Sequence, residues 1–415
     1  MEEAPAPPVN PPTSYAERRP RVTVVTPAYP TRDEPFRGIY NYHRAHALQE
    51  WADVQLICAM AAYPAFRKPT GKSGGRRDLR SMPGLAARYV EYPALPFVSR
   101  ALNGWVCARK IAPVARETRP DLLLAYWVYP EGFAALLVAR RLGIPGVVAA
   151  IGSDLRVISD PFTRRGVRAA LGRADHVLTV SRELRERAVA LGAAPERVRA
   201  ILNGCDGSVF RPAERASARG DLSVSQGSRL VVFVGRLAEI KGVRELLDAV
   251  AIAAGALPPL ELVLIGEGPL EAELRARAAR GDLAGRVRFL GNREPPDVAR
   301  WLAASDLLCL PSHSEGCPNV VIEALRCGRP VVASEVGGVP EIVDGRCAVL
   351  TPPGDAPALA RGLLAALGRD WDEEEIARRH GRTWQDVGRE TWEVCRRLLD
   401  GGPGGPSRAG GEAVS

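Results

Sequence analysis

Residues 311–343 read PSHSEGCPNVVIEALRCGRPVVASEVGGVPEIV. Two glutamates, Glu315 and Glu323, stand eight positions apart across a Gly316-Cys317-Pro318 turn. Pro318 suits the first helical position, where its missing N–H costs nothing, so a helix is expected from Pro318 that ends at Gly328. Val321 and Leu325 share a face by i,i+4 spacing, and Val320 and Ile322 make the other faces apolar too. A helix apolar nearly all round is a buried helix. A carboxylate there is costly unless it is partnered, so Glu323 calls for a structural ion pair, an N–H donor or a ligand. The stretch alone leaves these open.

Working outward, short β-branched or apolar runs alternate with helical periods. In the first half, strands are expected at 21–26, 54–59, 88–92, 122–126, 146–150, 177–180 and 198–202, with helices at 101–117, 132–142, 161–171 and 182–191. The polar stretch 211–228 breaks the periodicity and reads as a linker. The pattern restarts with strands at 230–234, 260–265, 287–290, 307–311 and 330–333. Its helices are expected at 243–254, 270–280, 296–304, 356–367 and 384–399. Such alternation predicts an α/β chain with two doubly wound parallel sheets. The expected layout is a Pro-rich lead at 1–20, a first domain at 21–212 and a second at 213–383. A C-terminal helix at 384–400 packs back on the first domain, and a Gly-rich tail follows at 401–415.

The chain has 415 residues, 46% hydrophobic and 25% charged, with net charge +8. That is the composition of a soluble globular protein. Residues 1–215 carry 32 Lys and Arg against 20 Asp and Glu, whereas the remainder carries 24 against 28. The basic first half points to an anionic partner. The eight cysteines show no Cys-x-x-Cys spacing, which argues against zinc and for free thiols in a reducing compartment. No apolar run approaches the 18 residues of a membrane span and no signal-peptide pattern opens the chain. The expected location is cytoplasmic, or peripheral on the inner face of a membrane.

Ligands of open parallel sheets bind beyond the carboxyl ends of the strands, and the segments there are rich in glycine. Gly235-Arg236-Leu237-Ala238-Glu239-Ile240-Lys241-Gly242 places one guanidinium and one ammonium in a strand-to-helix loop, a means of holding a diphosphate. The alternative is solvated loop charge. The helix from Pro318 would offer N–H groups to the same anion. Gly266-Glu267-Gly268-Pro269 lacks the register of a dinucleotide fingerprint and reads as a turn at a helix start. His313 reads as a hydrogen-bonding loop residue. Asp154, after a buried strand, is either a helix cap or an acceptor for a substrate hydroxyl. Tyr129, in the aromatic run 126–129, either stacks on a sugar or base or packs in the core. No Walker loop, nucleophile elbow or Asp-x-Asp metal pair occurs. Residues 66–80 hold six basic residues and one acid, and residues 95–110 mix Phe97, Leu102 and Trp105 with Arg100, Arg109 and Lys110. Residues 66–110 therefore read as a candidate surface for anionic lipid. The interleaving is too irregular for nucleic acid.

Together these pieces resemble the retaining nucleotide-sugar-dependent glycosyltransferases of family 4, with the GT-B fold. The resemblance rests on Ser314-Glu315-Gly316 through Glu323-Ala324-Leu325, then Cys327-Gly328-Arg329-Pro330 and Gly337-Gly338-Val339-Pro340-Glu341. It extends to Gly235-Arg236 with Lys241-Gly242, Ser181, Asn203-Gly204-Cys205-Asp206 and Phe210. It implies two Rossmann-like domains facing across a cleft and a hexosyltransferase-type enzyme. Arg236 and Lys241 would hold the donor diphosphate, Glu323 the ribose hydroxyls, and Glu315 with Gly316, Cys317, Pro318 and Asn319 the donor sugar. Gly235 would belong to the diphosphate loop, and Gly38 to a phosphate-facing loop of the first domain. Arg236, Lys241 and Glu315 are the catalytic candidates, Tyr129 and Asp154 the acceptor-side ones. The partners implied are a nucleotide-sugar donor and a glycan, lipid-linked or small-molecule acceptor, with no cofactor and no divalent metal. Many relatives have a His before Gly-Ser-Asp. This chain has Ile151, which leaves Asp154 as the candidate to carry part of that role. The rival readings are a GT-B epimerase or phosphorylase and a non-catalytic basic protein that binds lipid or nucleic acid.

Overall fold

A computed structural model describes residues 18–30, 34, 36–63, 84–95, 99–158, 160–257 and 259–401. The strands are β1 (Arg21–Thr26), β2 (Asp53–Ala62), β3 (Ala87–Pro93), β4 (Leu122–Tyr126), β5 (Gly146–Ala150), β6 (His176–Thr179) and β7 (Val198–Ala200). They continue with β8 (Arg229–Val234), β9 (Leu260–Ile265), β10 (Val287–Gly291), β11 (Leu307–Leu310), β12 (Val331–Ser334) and β13 (Ala348–Thr351). A seven-stranded sheet runs β3-β2-β1-β4-β5-β6-β7, and a six-stranded sheet runs β10-β9-β8-β11-β12-β13. Both orders step out from a central strand and then reverse, the doubly wound pattern. The registers are parallel, with Val24 level with Leu56 and Leu124, and Val232 level with Val263 and Leu308. The chain is thus α/β with two Rossmann-like parallel sheets.

The contacts divide the chain into two compact units: the described parts of 1–148, 173–175 and 392–415, and residues 149–172 with 176–391. In the first unit, β1 beyond Arg21 and the whole of β4 are buried on both faces, as suits interior parallel strands. The buried hydroxyls of Thr23 and Thr118 satisfy each other at 2.8 Å. In the second unit, Leu230–Phe233 and Leu307–Leu310 are buried throughout. All eight cysteines are free and buried. No helix among the described residues is long and apolar enough to cross a membrane.

The stretch 211–228 is not a linker. It holds the helix Arg215–Asp221, whose Arg219 is 3% exposed. Its guanidinium pairs with Asp306 at 2.8 Å and donates to the carbonyls of Ala304, Ser225, Gln226 and Ser228. The segment reads as polar because its apolar periodicity is replaced by one buried cation with saturated donors. Strand β13 and the helix Glu373–Arg379 also escaped the periodicity; a strand of four residues and an acidic first turn carry little apolar signal.

Candidate active site

Strands β8 and β11 are neighbours where the strand order of the second sheet reverses, the usual ligand position of such sheets. The two loops leaving them are joined by backbone: His313 N donates to Ile240 O at 2.9 Å. Gly242 has φ +62°, and a Cβ there would lie 2.0 Å from Pro311 O. Only glycine permits both the left-handed turn and that approach. The geometry brings Lys241 onto Glu315, with Nζ to Oε1 2.5 Å. Ser312 Oγ donates to the same oxygen at 2.6 Å. Glu315 is 8% exposed, and its other oxygen has no hydrogen-bond partner among the described residues. Arg236, beside Gly235, is exposed and has no ion pair or hydrogen bond from its side chain among the described residues. His313 contacts Glu245 at 3.2 Å, as a hydrogen-bonding loop residue. Gly266–Pro269 forms the turn before the helix Glu271–Ala278.

The focal helix spans Asn319–Arg326. Pro318 is its N-cap in an extended conformation rather than its first helical residue, one position off the expected start; proline's fixed φ suits either place. Cys327 caps the other end and Gly328 follows at φ +78°, a left-handed stop. Val321, Ile322, Ala324 and Leu325 are buried. Glu323 is 9% exposed and has neither a hydrogen bond nor an ion pair from its carboxylate among the described residues, so the structural ion pair and N–H donor are both absent. Burial pushes its carboxyl up to about 8, because the charged form loses its hydration without gaining a partner. Ahead of the helix, Asn203 Nδ2 donates to Cys317 O at 3.1 Å and Asn319 Oδ1 at 2.6 Å. That fixes the turn from which the first N–H groups project.

The backbone of Glu315 and Gly316 is clamped from two sides. A Cβ on Gly316 would lie 3.2 Å from Gly152 Cα, and one on Gly338 would lie 2.1 Å from Gly316 O. Gly337, at φ +55°, would place a Cβ 1.8 Å from Glu315 O. Arg156 closes this corner, donating to Ser314 Oγ at 3.1 Å and pairing with Glu183. Burial lowers its pKa, and its Nε is a buried donor without a partner among the described residues. Arg156 carried no site signal of its own in the sequence.

Asp154 accepts from the N–H groups of Ile151 at 3.1 Å and Gly152 at 2.8 Å. It therefore clasps the turn in front of the helix Ser153–Arg156, whose N-cap is Gly152, rather than capping the turn that follows. In the first unit, Tyr129 is buried against Phe133, its hydroxyl donating to Arg100 O; here it packs. Gly38 has φ +72° and caps the helix Ile39–Ala47, with Ala28 O 2.3 Å from a hypothetical Cβ. The basic run 66–80 lies outside the described residues, as does Phe97. Leu95, Leu102 and Trp105 are exposed. No group of three His, Cys, Asp or Glu that could hold a metal occurs among the described residues.

Two doubly wound parallel sheets, the second with a cation, two carboxylates and a helix N-terminus at its switch point, make up a GT-B architecture. The profile described as "Glycosyl transferases group 1" matches residues 228–369, and the "Glycosyl transferase 4-like domain" matches residues 13–204. The chain belongs to this glycosyltransferase family and is a hexosyltransferase-type enzyme. It is 29% identical over 401 residues to the putative teichuronic acid biosynthesis glycosyltransferase TuaC of Bacillus subtilis, covering 92% of this chain and 95% of that one. It is 30% identical over 309 residues to the D-inositol 3-phosphate glycosyltransferase of Segniliparus rotundus, covering 68% and 67%. Among solved structures it resembles a sucrose-phosphate synthase from Thermosynechococcus elongatus (TM-score 0.71, 21% identity, 92% and 100% covered). It also resembles Anabaena Alr3699/HepE in complex with UDP (TM-score 0.70, 20% identity, 91% and 99% covered). At these identities the structural likenesses speak for the fold.

Proposed function

We propose that this protein moves a sugar from a nucleoside-diphosphate sugar to a glycan, lipid-linked or small-molecule acceptor with retention of anomeric configuration. The observation that carries the reading is Glu323. A buried carboxylate with no partner among the described residues sits one turn into a helix whose leading loop carries Glu315, paired with Lys241 from the loop after β8. Such a group is satisfied by a ligand that donates hydrogen bonds, as the two hydroxyls of a ribose do.

In this reading Arg236 and Lys241 neutralise the donor diphosphate. The free oxygen of Glu315 and the backbone at Gly316–Asn319 hold the sugar. Charge grows on the departing diphosphate as the sugar–oxygen bond breaks, and cations fixed there lower the barrier most. The acceptor hydroxyl adds to the same face and its proton passes to the leaving phosphate oxygen, so no protein nucleophile is required. No resident cofactor and no divalent metal take part. Support for a nucleotide donor comes from the neighbouring structure solved with UDP. Support for a glycan or small-molecule acceptor comes from the relatives named for teichuronic acid and inositol phosphate. A lipid-linked acceptor would bring the protein to the inner face of a membrane.

The test is turnover of a panel of UDP-, GDP- and ADP-sugars. At least one donor is consumed by the wild type, and Lys241→Ala and Glu323→Ala each abolish its consumption while remaining folded by circular dichroism. Wild-type turnover in either variant would remove the site assignment.

A further inference from the structure

Away from these loops, the first unit contains a cavity of about 480 Å³, a size usual for small-molecule sites. It lies at the carboxyl ends of β2 and β3. Ala62, Tyr63, Tyr92, Ala94 and Leu95 line it, with Ser99, Glu91 and Lys110. Its inner polar groups are already occupied. Ser99 Oγ bonds Leu95 N at 2.7 Å and Asn103 Oδ1 at 2.7 Å, and the Tyr92 hydroxyl donates to buried Glu131 at 2.8 Å. Tyr92 and Ala94 are buried, so the floor offers ring and methyl carbon. A polar ligand would lose hydration there without regaining hydrogen bonds. Charge stands at the rim, where Glu91 and Lys110 are exposed; Arg109, which precedes Lys110 in the chain, is exposed too. Neither cation has a partner among the described residues. The helix that supplies Lys110, Asn103–Thr118, also exposes Trp105, with Leu102 exposed at its N-cap.

We propose that this cavity holds the aliphatic chain of an amphiphile whose anionic head stays at Lys110. Lys110, the one cation of the lining, has no partner among the described residues, which leaves its ammonium to an anionic head. The source is either a free amphiphile or a bilayer lipid. The proposal stands apart from the donor site, because none of its residues takes part there.

The experiment titrates the full chain calorimetrically with hexyl, octyl and decyl phosphate below their micelle thresholds, and with inorganic phosphate. Each added methylene strengthens binding by about fourfold. Ala62→Phe, which fills the cavity, and Leu95→Glu, which charges its mouth, each flatten that dependence on chain length. Lys110→Ala weakens all three alkyl phosphates by one common factor. In a second arm, phosphatidylglycerol vesicles distinguish the sources. Sedimentation reduced by Ala62→Phe identifies a bilayer lipid, and alkyl phosphate binding without sedimentation identifies a free amphiphile. Inorganic phosphate binding as tightly as decyl phosphate would overturn the proposal. So would vesicle binding without alkyl phosphate binding, or an unchanged length dependence in both folded cavity variants. Donor turnover by the same variants stays at the wild-type level, which keeps failure here separate from failure of the transferase reading.

Discussion

Replacing Glu323 by glutamine preserves its shape and removes its charge, which isolates what burial does to this carboxylate. In the unfolded chain it ionises near the ordinary value of 4.5, and in the folded chain near 8. Between those values the folded state holds one more proton than the unfolded state, so stability falls as pH rises. Glu323's contribution is complete below about pH 4.5 and is lost progressively up to its folded pKa. The slope is about 1.4 kcal/mol per pH unit, or on the order of 3 kcal/mol between pH 5.5 and 7.5. Other groups add slopes of their own, so the informative quantity is wild type minus Glu323→Gln. The variant's unpaired amide costs about 1–3 kcal/mol, at every pH, and shifts its curve without tilting it. Urea unfolding at pH 5.5, 6.5 and 7.5 reads the difference. A nucleotide whose hydroxyls donate to the carboxylate favours the charged form. Its affinity for the wild type therefore rises towards pH 8, by up to about tenfold per unit, and is flat in the variant. Equal pH slopes for the two proteins, in stability and in nucleotide affinity, would refute the reasoning.

Three further outcomes are expected. Arg219→Met removes the most buried partner of Asp306, which keeps Arg215 at 3.2 Å and the Leu230 N–H at 2.6 Å, and lowers stability by about 1–3 kcal/mol in urea unfolding; an unchanged stability would return residues 211–228 to the status of a linker. Arg156→Ala frees Ser314 and Glu183 and lowers donor turnover by about tenfold or more, with Arg156→Lys recovering part of it; unchanged kcat/KM in both variants would leave Arg156 without a role at Glu315. Gly337→Ala forces a methyl onto the Glu315 carbonyl from a left-handed backbone, strain of about 1–3 kcal/mol before any clash. Its thermal midpoint falls and donor turnover falls with it, and wild-type values for both would contradict the clamp.

The fold was legible because its central strands are buried on both faces. Runs such as Leu122–Tyr126, apolar throughout, and Leu260–Ile265, apolar but for Glu261, stand out, and the structure returns them with the same ends. Where a segment earns its place by one buried charge, as at Arg219, the pattern is silent. Within the candidate site, Lys241, Glu315 and Glu323 stood out because charge beside glycine, or inside an apolar helix, demands a reason. Arg156 did not, being one arginine among many in an arginine-rich chain. Its importance comes from the Ser314 and Glu183 side chains that meet it, 158 and 27 positions away. Asp154 shows the opposite case: its residue type suited a cap or a ligand group, and only geometry shows both oxygens engaged by Ile151 and Gly152.

The central claim is retaining transfer from a nucleoside-diphosphate sugar, and proton NMR of the turnover reaction tests it most directly. The anomeric coupling of the product, recorded before mutarotation, reports configuration while nucleoside diphosphate is released. The prediction is a product with the donor's anomeric configuration, formed by the wild type and absent with Lys241→Ala. An inverted product, or no consumption of any UDP-, GDP- or ADP-sugar by folded wild-type protein, would contradict it.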